Sequence, residues 1–234
     1  YTGSVYGGLG HLLKAYCETK NIEILEQVQQ VQNLERVDYV VWRDLLEDLN
    51  RLNPKTGLGL EIAEHVQPKH LGIIAYLALS CENLGEALAR YHDFHRLIYD
   101  GSPLVVEFNP PYASIRWEAP EPNPTQLTDE IAIALMVQFL KLFMSGEDLN
   151  LHEVHFVNTA PKNIMVYEQY FRCKVRFDQP KTQLLLPVTE AFKPLRTGDH
   201  TLQQLLLQQA QALLDKLPNS TQLDQRLQHA ILTG

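Results

Sequence analysis

The chain has 234 residues, 45% of them apolar and 21% charged. This is the make-up of a folded, water-soluble chain with room for one large domain or two lobes, and it excludes disordered and fibrous structure. Lys and Arg number 20 against 28 Asp and Glu, for a net charge of -8, so the overall field repels polyanions and argues against a nucleic-acid surface on these residues.

The 3 cysteines, Cys17, Cys81 and Cys173, are far apart and form no C-x-x-C pair. Neither a disulfide framework nor a thiolate zinc site is expected, and a reducing cytoplasm fits. The longest apolar runs, Leu71 to Leu79 and Ile131 to Val137, fall short of the ~18 residues of a spanning helix. The glycine-rich start has no basic n-region, so no signal peptide and no membrane partner are expected. A first residue other than Met and an end at Ile-Leu-Thr-Gly are what a piece of a longer chain would show.

In chain order, the first hundred residues read as helices. Leu9, Leu12, Leu13 and Tyr16 recur at helical spacing, as do Ile22, Leu25 and Val28, then Val41, Leu45, Leu46 and Leu49. Leu71 to Leu79 is apolar on nearly all sides, which predicts a short buried helix. Asn83 followed by Glu86 is a capping-box pattern opening a helix to about Asp100, ended by Gly101. From Pro103 the period becomes two. Leu104 to Phe108 and Ala113 to Trp117 predict a hairpin about Asn109-Pro110-Pro111. A loop with Pro120, Pro122 and Pro124 leads to a helix from about Thr125 to Met144, stopped by Gly146. A strand at Leu151 to Val157, a helix at Asn163 to Phe171 and strands at Val175 to Phe177 and Gln183 to Leu186 follow.

Helices followed by β-β-α-β-α-β-β predict an α+β fold, with a small, mainly antiparallel sheet flanked by helices. The expected divisions are a helical lobe at 1–102, a sheet lobe at 103–195 and C-terminal helices at 196–234, the last helix carrying Leu223, Leu227 and Ile231. No Gly-rich phosphate fingerprint follows a strand.

Nucleophile-elbow, His-Glu-x-x-His and paired-cysteine patterns are absent, so no catalytic residue, metal or cofactor is assigned. Among the 9 histidines, His92 and His95 straddle core and surface of one helix. His95 is either a satisfied core residue or a polar contact in a ligand pocket. His152 and His155 point to opposite faces of a strand, and His65 and His70 flank Pro68 as solvated loop residues. Tyr76 needs a hydroxyl partner within its apolar helix, supplied by the protein or by a ligand. Arg116, beside Ser114 and Glu118, is a cross-strand ion-pair site if its face meets solvent and an acid-binding group if it faces a pocket. The segment from Thr201 to Leu217 places leucines around well over half a helical wheel. It is either deeply buried or packed on one face and available to a partner on another, and Leu207 and Leu214 are the candidate dimer contacts.

From Gly57 the residues fall into a known order: Gly57-Leu58-Gly59-Leu60-Glu61-Ile62, His70-Leu71-Gly72-Ile73-Ile74-Ala75-Tyr76, Ser80-Cys81-Glu82-Asn83-Leu84-Gly85-Glu86-Ala87-Leu88 and Arg90-Tyr91. This order resembles the N-terminal regulatory domain of AraC-type transcriptional regulators, in the arabinose-binding-like subgroup that includes ornithine-utilisation regulators. Ile74-Ala75 and Glu82-Asn83 depart from the usual residues. The likeness continues through Asp129-Glu130, Val154 to Pro161, Tyr167 to Phe177, Pro194-Leu195 and Leu213 to Pro218, so it spans nearly the whole chain.

The resemblance implies a bacterial, cytoplasmic, non-enzymatic transcription regulator whose N-terminal part senses a small-molecule effector and forms a homodimer. DNA binding would belong to helix-turn-helix units beyond Gly234. Tyr76, Tyr91, His95 and Arg116 are the candidate effector contacts, each placing polar atoms near apolar surface, in a site expected between the lobes. A haem or small-molecule sensor standing alone, with His95 as axial ligand, is the alternative, and a hydrolase or transferase with a dispersed site is a further one.

Overall fold

The period-two and helical patterns appear in a computed structural model, which describes residues 3–118, 125–142, 144, 148–195 and 198–218. In chain order its elements are β1 (Ser4–Tyr6), α1 (Gly8–Thr19), α2 (Glu26–Val31), β2 (Arg36–Asp38), α3 (Tyr39–Leu52), α4 (Leu58–Ala63), α5 (Pro68–Leu71), α6 (Ile73–Leu79) and α7 (Leu84–Phe94). A 3-10 turn at His95–Leu97 leads to β3 (Tyr99–Asp100), β4 (Leu104–Asn109), β5 (Tyr112–Trp117), α8 (Gln126–Leu142), β6 (Glu153–His155), α9 (Met165–Phe171), β7 (Lys174–Arg176) and β8 (Gln183–Pro187). A second 3-10 turn at Val188–Phe192 precedes α10 (His200–Asp215). The order from β4 to β8 is the predicted one, and the fold is α+β. Pro120, Pro122, Pro124, Gly146 and the expected helix around Leu223, Leu227 and Ile231 lie outside the described residues.

The larger sheet has the strand order β4-β5-β8-β6-β7. Its hairpin pairs Leu104 with Trp117 and Asn109 with Tyr112. Every neighbouring pair is antiparallel except β6 with β7, where α9 makes the crossover that a parallel pair requires. One hydrophobic core runs from this sheet into the helices. The helix α8, apolar on most sides, lies inside it, packed on α3 and α4.

The first hundred residues are less purely helical than their periodicity predicts. β1 is the middle strand of a second sheet, β2-β1-β3, whose outer strands come from residues more than thirty and ninety positions away. Pairing Ser4 with Asp100 draws Tyr99 and Asp100 out of the predicted helix, so α7 stops at Phe94. Its start follows the sequence: Asn83 Oδ1 accepts the Glu86 N–H at 2.8 Å. The return bond differs by one residue, since Glu86 Oε2 accepts from the Glu82 N–H at 3.1 Å rather than from the cap itself.

The predicted helix at Leu71 to Leu79 is broken at Gly72, whose φ of 72° and ψ of -150° end α5 and restart the chain as α6. A Cβ there would lie 3.0 Å from the Tyr6 ring, so the left-handed conformation and the close approach both call for glycine. The break turns Tyr76 outward, 47% exposed, instead of into the core.

Candidate effector-binding site

The four predicted contact residues do not converge. Tyr76 faces solvent on α6. Tyr91 is buried with its ring edge-on to Phe139 at 4.6 Å, a core packing role. His95 has both ring nitrogens engaged: Nδ1–H donates to the His92 carbonyl at 2.7 Å, and Nε2 accepts the Leu104 N–H at 3.3 Å. Burial lowers its pKa, and with neither nitrogen free it offers no axial ligand to a haem. Arg116 donates from Nη2 to Glu107 Oε1 at 2.9 Å across the β4–β5 pair, the ion-pair alternative of the two foreseen for it. His152 stacks on Tyr112 at 3.9 Å, while His155 pairs with Glu153 at 2.7 Å. Among the described residues no three His, Cys, Asp or Glu side chains come together as a metal-ligating group.

A cavity of about 1010 Å³ opens elsewhere, and none of those four residues lines it. This is at the upper end of the roughly 300–1,000 Å³ of small-molecule sites. One wall is a single face of α1, from Gly7 and Gly8 through His11, Lys14 and Ala15 to Glu18. Facing it are the 32–36 segment, the α5–α6 junction at 69–73 and the end of α10 with Leu213, Lys216, Leu217 and Pro218. The cavity therefore sits within the helical lobe and under α10, not between residues 1–102 and 103–195.

Local sequence explains this shape. Gly7 and Gly8 form the corner between β1 and α1. A side chain on Gly7 would collide with the Leu34 carbonyl and one on Gly8 with the Tyr6 ring, so only glycines let the 32–36 segment and Tyr6 come this close. The helix α1 then begins without a side-chain cap and with no acidic residue in its first turn. Of its first N–H groups, that of Gly10 reaches back to the Gly7 carbonyl at 2.9 Å, and those before it have no partner within the helix. His70, expected to be a solvated loop residue, is only 2% exposed. It closes α5 instead: Nδ1 accepts the Gln67 N–H at 2.9 Å, in a capping box with Pro68 at the first helical turn. That bond leaves the ring hydrogen on Nε2 of the neutral imidazole. Burial, reinforced by the charges of Lys69 and His11, lowers the His70 pKa to about 4.

The opposite wall is tied together by arginines. Arg36 donates to the Ser4 hydroxyl from Nε and Nη2 at 3.1 and 3.0 Å, and from its guanidinium to the carbonyls of Arg96 and Leu97. Arg96 donates to the buried Asp100 at 2.9 Å and to the Pro218 carbonyl at 3.1 Å. The tail of α10 is thereby linked through Arg96 to β3 and, through Arg36, to β1. At its other end α10 is capped by Asp199, which accepts the Leu202 N–H at 3.0 Å. Gln203 docks that end by donating to Glu86 at 2.6 Å.

These contacts divide the leucines of α10 between two faces. Gln203 and Ala210 are buried, and Leu207 and Leu214 share their face, packed against the core. The exposed apolar flank is Leu202, Leu205 and Leu213, at 44%, 58% and 42% exposure. Among the described residues no helix is long and apolar enough to cross a membrane.

Residues 24–195 match the family described as the arabinose-binding domain of AraC transcription regulators, N-terminal. The chain belongs to this family. It is a ligand-sensing regulatory domain of AraC-type regulators. It is 25% identical over 185 residues to the ornithine utilization regulator of Pseudomonas aeruginosa, covering 78% of this chain and 54% of that protein. Its fold is similar to that of the transcriptional regulator CdpR from the same species, with a TM-score of 0.64 and 18% identity over 86% of this chain and 62% of that one. The chain thus spans little more than half the length of the curated relative it matches. Of the cavity walls, α1 and α10 lie outside the family match, whereas the 32–36 and 69–73 segments lie within it.

Proposed function

We propose that this regulatory domain takes its effector in the cavity between α1 and α10 and works, without catalysis, as the sensor of a cytoplasmic homodimeric regulator that binds DNA through a separate region. The observation that carries the reading is that the last turn of α10 is itself a cavity wall, tied by Arg96 to β3. A ligand in contact with both α1 and α10 prefers one setting of α10 over another. Only such a difference in affinity can shift an equilibrium between two states. Tyr76, Tyr91, His95 and Arg116 then act outside the ligand contacts, in the roles their partners give them.

A thermal-shift screen of metabolites against the wild-type chain and Ala15→Trp tests the site. Ala15 is a half-exposed small residue on the cavity face of α1, so tryptophan fills space without removing a polar group. A metabolite that stabilises the wild type and not the variant is expected, whereas ligands that stabilise both equally would place the site elsewhere. The dimer is assigned to the exposed flank of α10. Sedimentation should show a dimer weakened by Leu205→Glu or Leu202→Glu, both outside the cavity, and a monomer at high concentration would remove that role.

A further inference from the structure

Given that this cavity is the effector site, its chemistry narrows what the effector is. We propose that it binds an organic monocarboxylate with an apolar body, the carboxylate held where the start of α1 meets α5. On a chain of net charge -8, the cavity is lined by Lys14, Arg36, Lys69 and Lys216 against Glu18 and Glu35. Two of these cations are already engaged. Lys14 lies 3.7 Å from Glu18, and Arg36 is held by Ser4 and the carbonyls of Arg96 and Leu97. Lys69 and Lys216 remain, and Lys69, with His11, is close enough to His70 to act electrostatically on its ring.

Three further features at this end favour an anion. The first turn of α1 has no side-chain cap and no acidic residue to answer the positive end of the helix dipole. His70 lines the cavity almost wholly buried, and its Nε2–H has no acceptor among the described residues. Lining the cavity, this donor is open to a ligand oxygen, which would accept its hydrogen bond. Tyr6, seated between Gly8 and Gly72, also lines the cavity. Beyond this polar end the walls are Ala15, Leu71, Ile73, Leu213 and Leu217. The α1 face from Gly8 to Glu18 extends about 15 Å at the helical rise per residue, so the space suits an elongated apolar body rather than a compact polyol. A single carboxylate is favoured over a di-anion because Glu18 and Glu35 occupy the same lining.

Isothermal titration of the chain with octanoate, octanamide and octylamine tests the assignment, since the three differ only in the head group. Octanoate should saturate and octylamine should not. His11→Glu with Lys69→Glu, both at exposed positions, should weaken octanoate at least about tenfold, and Ala15→Trp should abolish it. Octanamide or octylamine binding as tightly as octanoate, octanoate affinity unmoved by the double substitution, or octanoate failing to saturate in the millimolar range would each overturn the carboxylate assignment. Octanoate binding that obeys the charge test yet ignores Ala15→Trp would instead overturn the placement of the effector cavity. Because both variants alter exposed or half-exposed groups, retention of the wild-type circular dichroism separates loss of binding from loss of fold.

Discussion

Replacing Glu130 with glutamine should make this domain more stable in alkali and leave it nearly unchanged in acid. Glu130 lies in the first turns of α8, 4% exposed, where α4 approaches so closely that a Cβ on Gly59 would sit 3.1 Å from its Cγ. Its Oε1 has no hydrogen-bond partner. Burial raises the carboxyl pKa from 4.5 to about 7, only partly offset by the Tyr167 hydroxyl and the Leu60 backbone beside it. The folded state therefore holds a proton that the unfolded chain releases between those two values. Stability from this group is intact below pH 4.5, falls as pH rises through 7, and stays low above it. At about 1.4 kcal/mol per pH unit the loss is on the order of 3 kcal/mol. Neighbouring Asp129, which donates nothing and accepts from Thr182 at 3.0 Å, is also raised by burial, to about 6. The informative quantity is consequently the difference between wild type and Glu130→Gln in urea unfolding at pH 4.5 and pH 8. That difference should move toward the variant by up to about 3 kcal/mol across the interval. An equal difference at both pH values would refute the account, whatever the amide does to packing at each.

Other outcomes follow from the same contacts. The depressed pKa of His70 means that the unfolded chain takes up a proton between pH 6.5 and about 4 which the folded chain refuses. Acid should therefore destabilise the wild type through this window by as much as about 3 kcal/mol, and urea titrations of His70→Gln should show a shallower slope there. Asp199→Ala removes the α10 cap and should lower stability by about 1 kcal/mol, with the faster hydrogen exchange confined to the first turn of α10; unchanged exchange would contradict the capping role. Gly72→Ala places a Cβ at positive φ against the Tyr6 ring. A loss of more than about 1 kcal/mol is expected, and a drop in Tm smaller than that of Asp199→Ala would show that the junction yields.

Local pattern was enough wherever an element is stabilised by its own neighbours in sequence. The β4–β5 hairpin, the order β-β-α-β-α-β-β, the Asn83 cap and the family likeness could be read directly, because alternation, helical period and capping act over a few residues. The sheet β2-β1-β3 could not, since strands of two or three residues carry no period and exist only through pairing across the chain. The same holds for His70. Its position beside Pro68 reads as a loop; the bond to Gln67 is local, but the burial of the ring comes with the packing of α5 on α1.

The wheel of α10 shows that its leucines exceed what one core can cover. Which of them turn inward is decided by Gln203, through Glu86 and Arg90 on α7. The cavity is the fullest case. Its walls come from residues 7–18, 32–36, 69–73 and 213–218, segments whose relative placement no local preference sets. The sequence alone therefore determined the fold class and the regulatory family of this chain. Long-range packing, which sets the distances between its separate walls, decided where a ligand can sit.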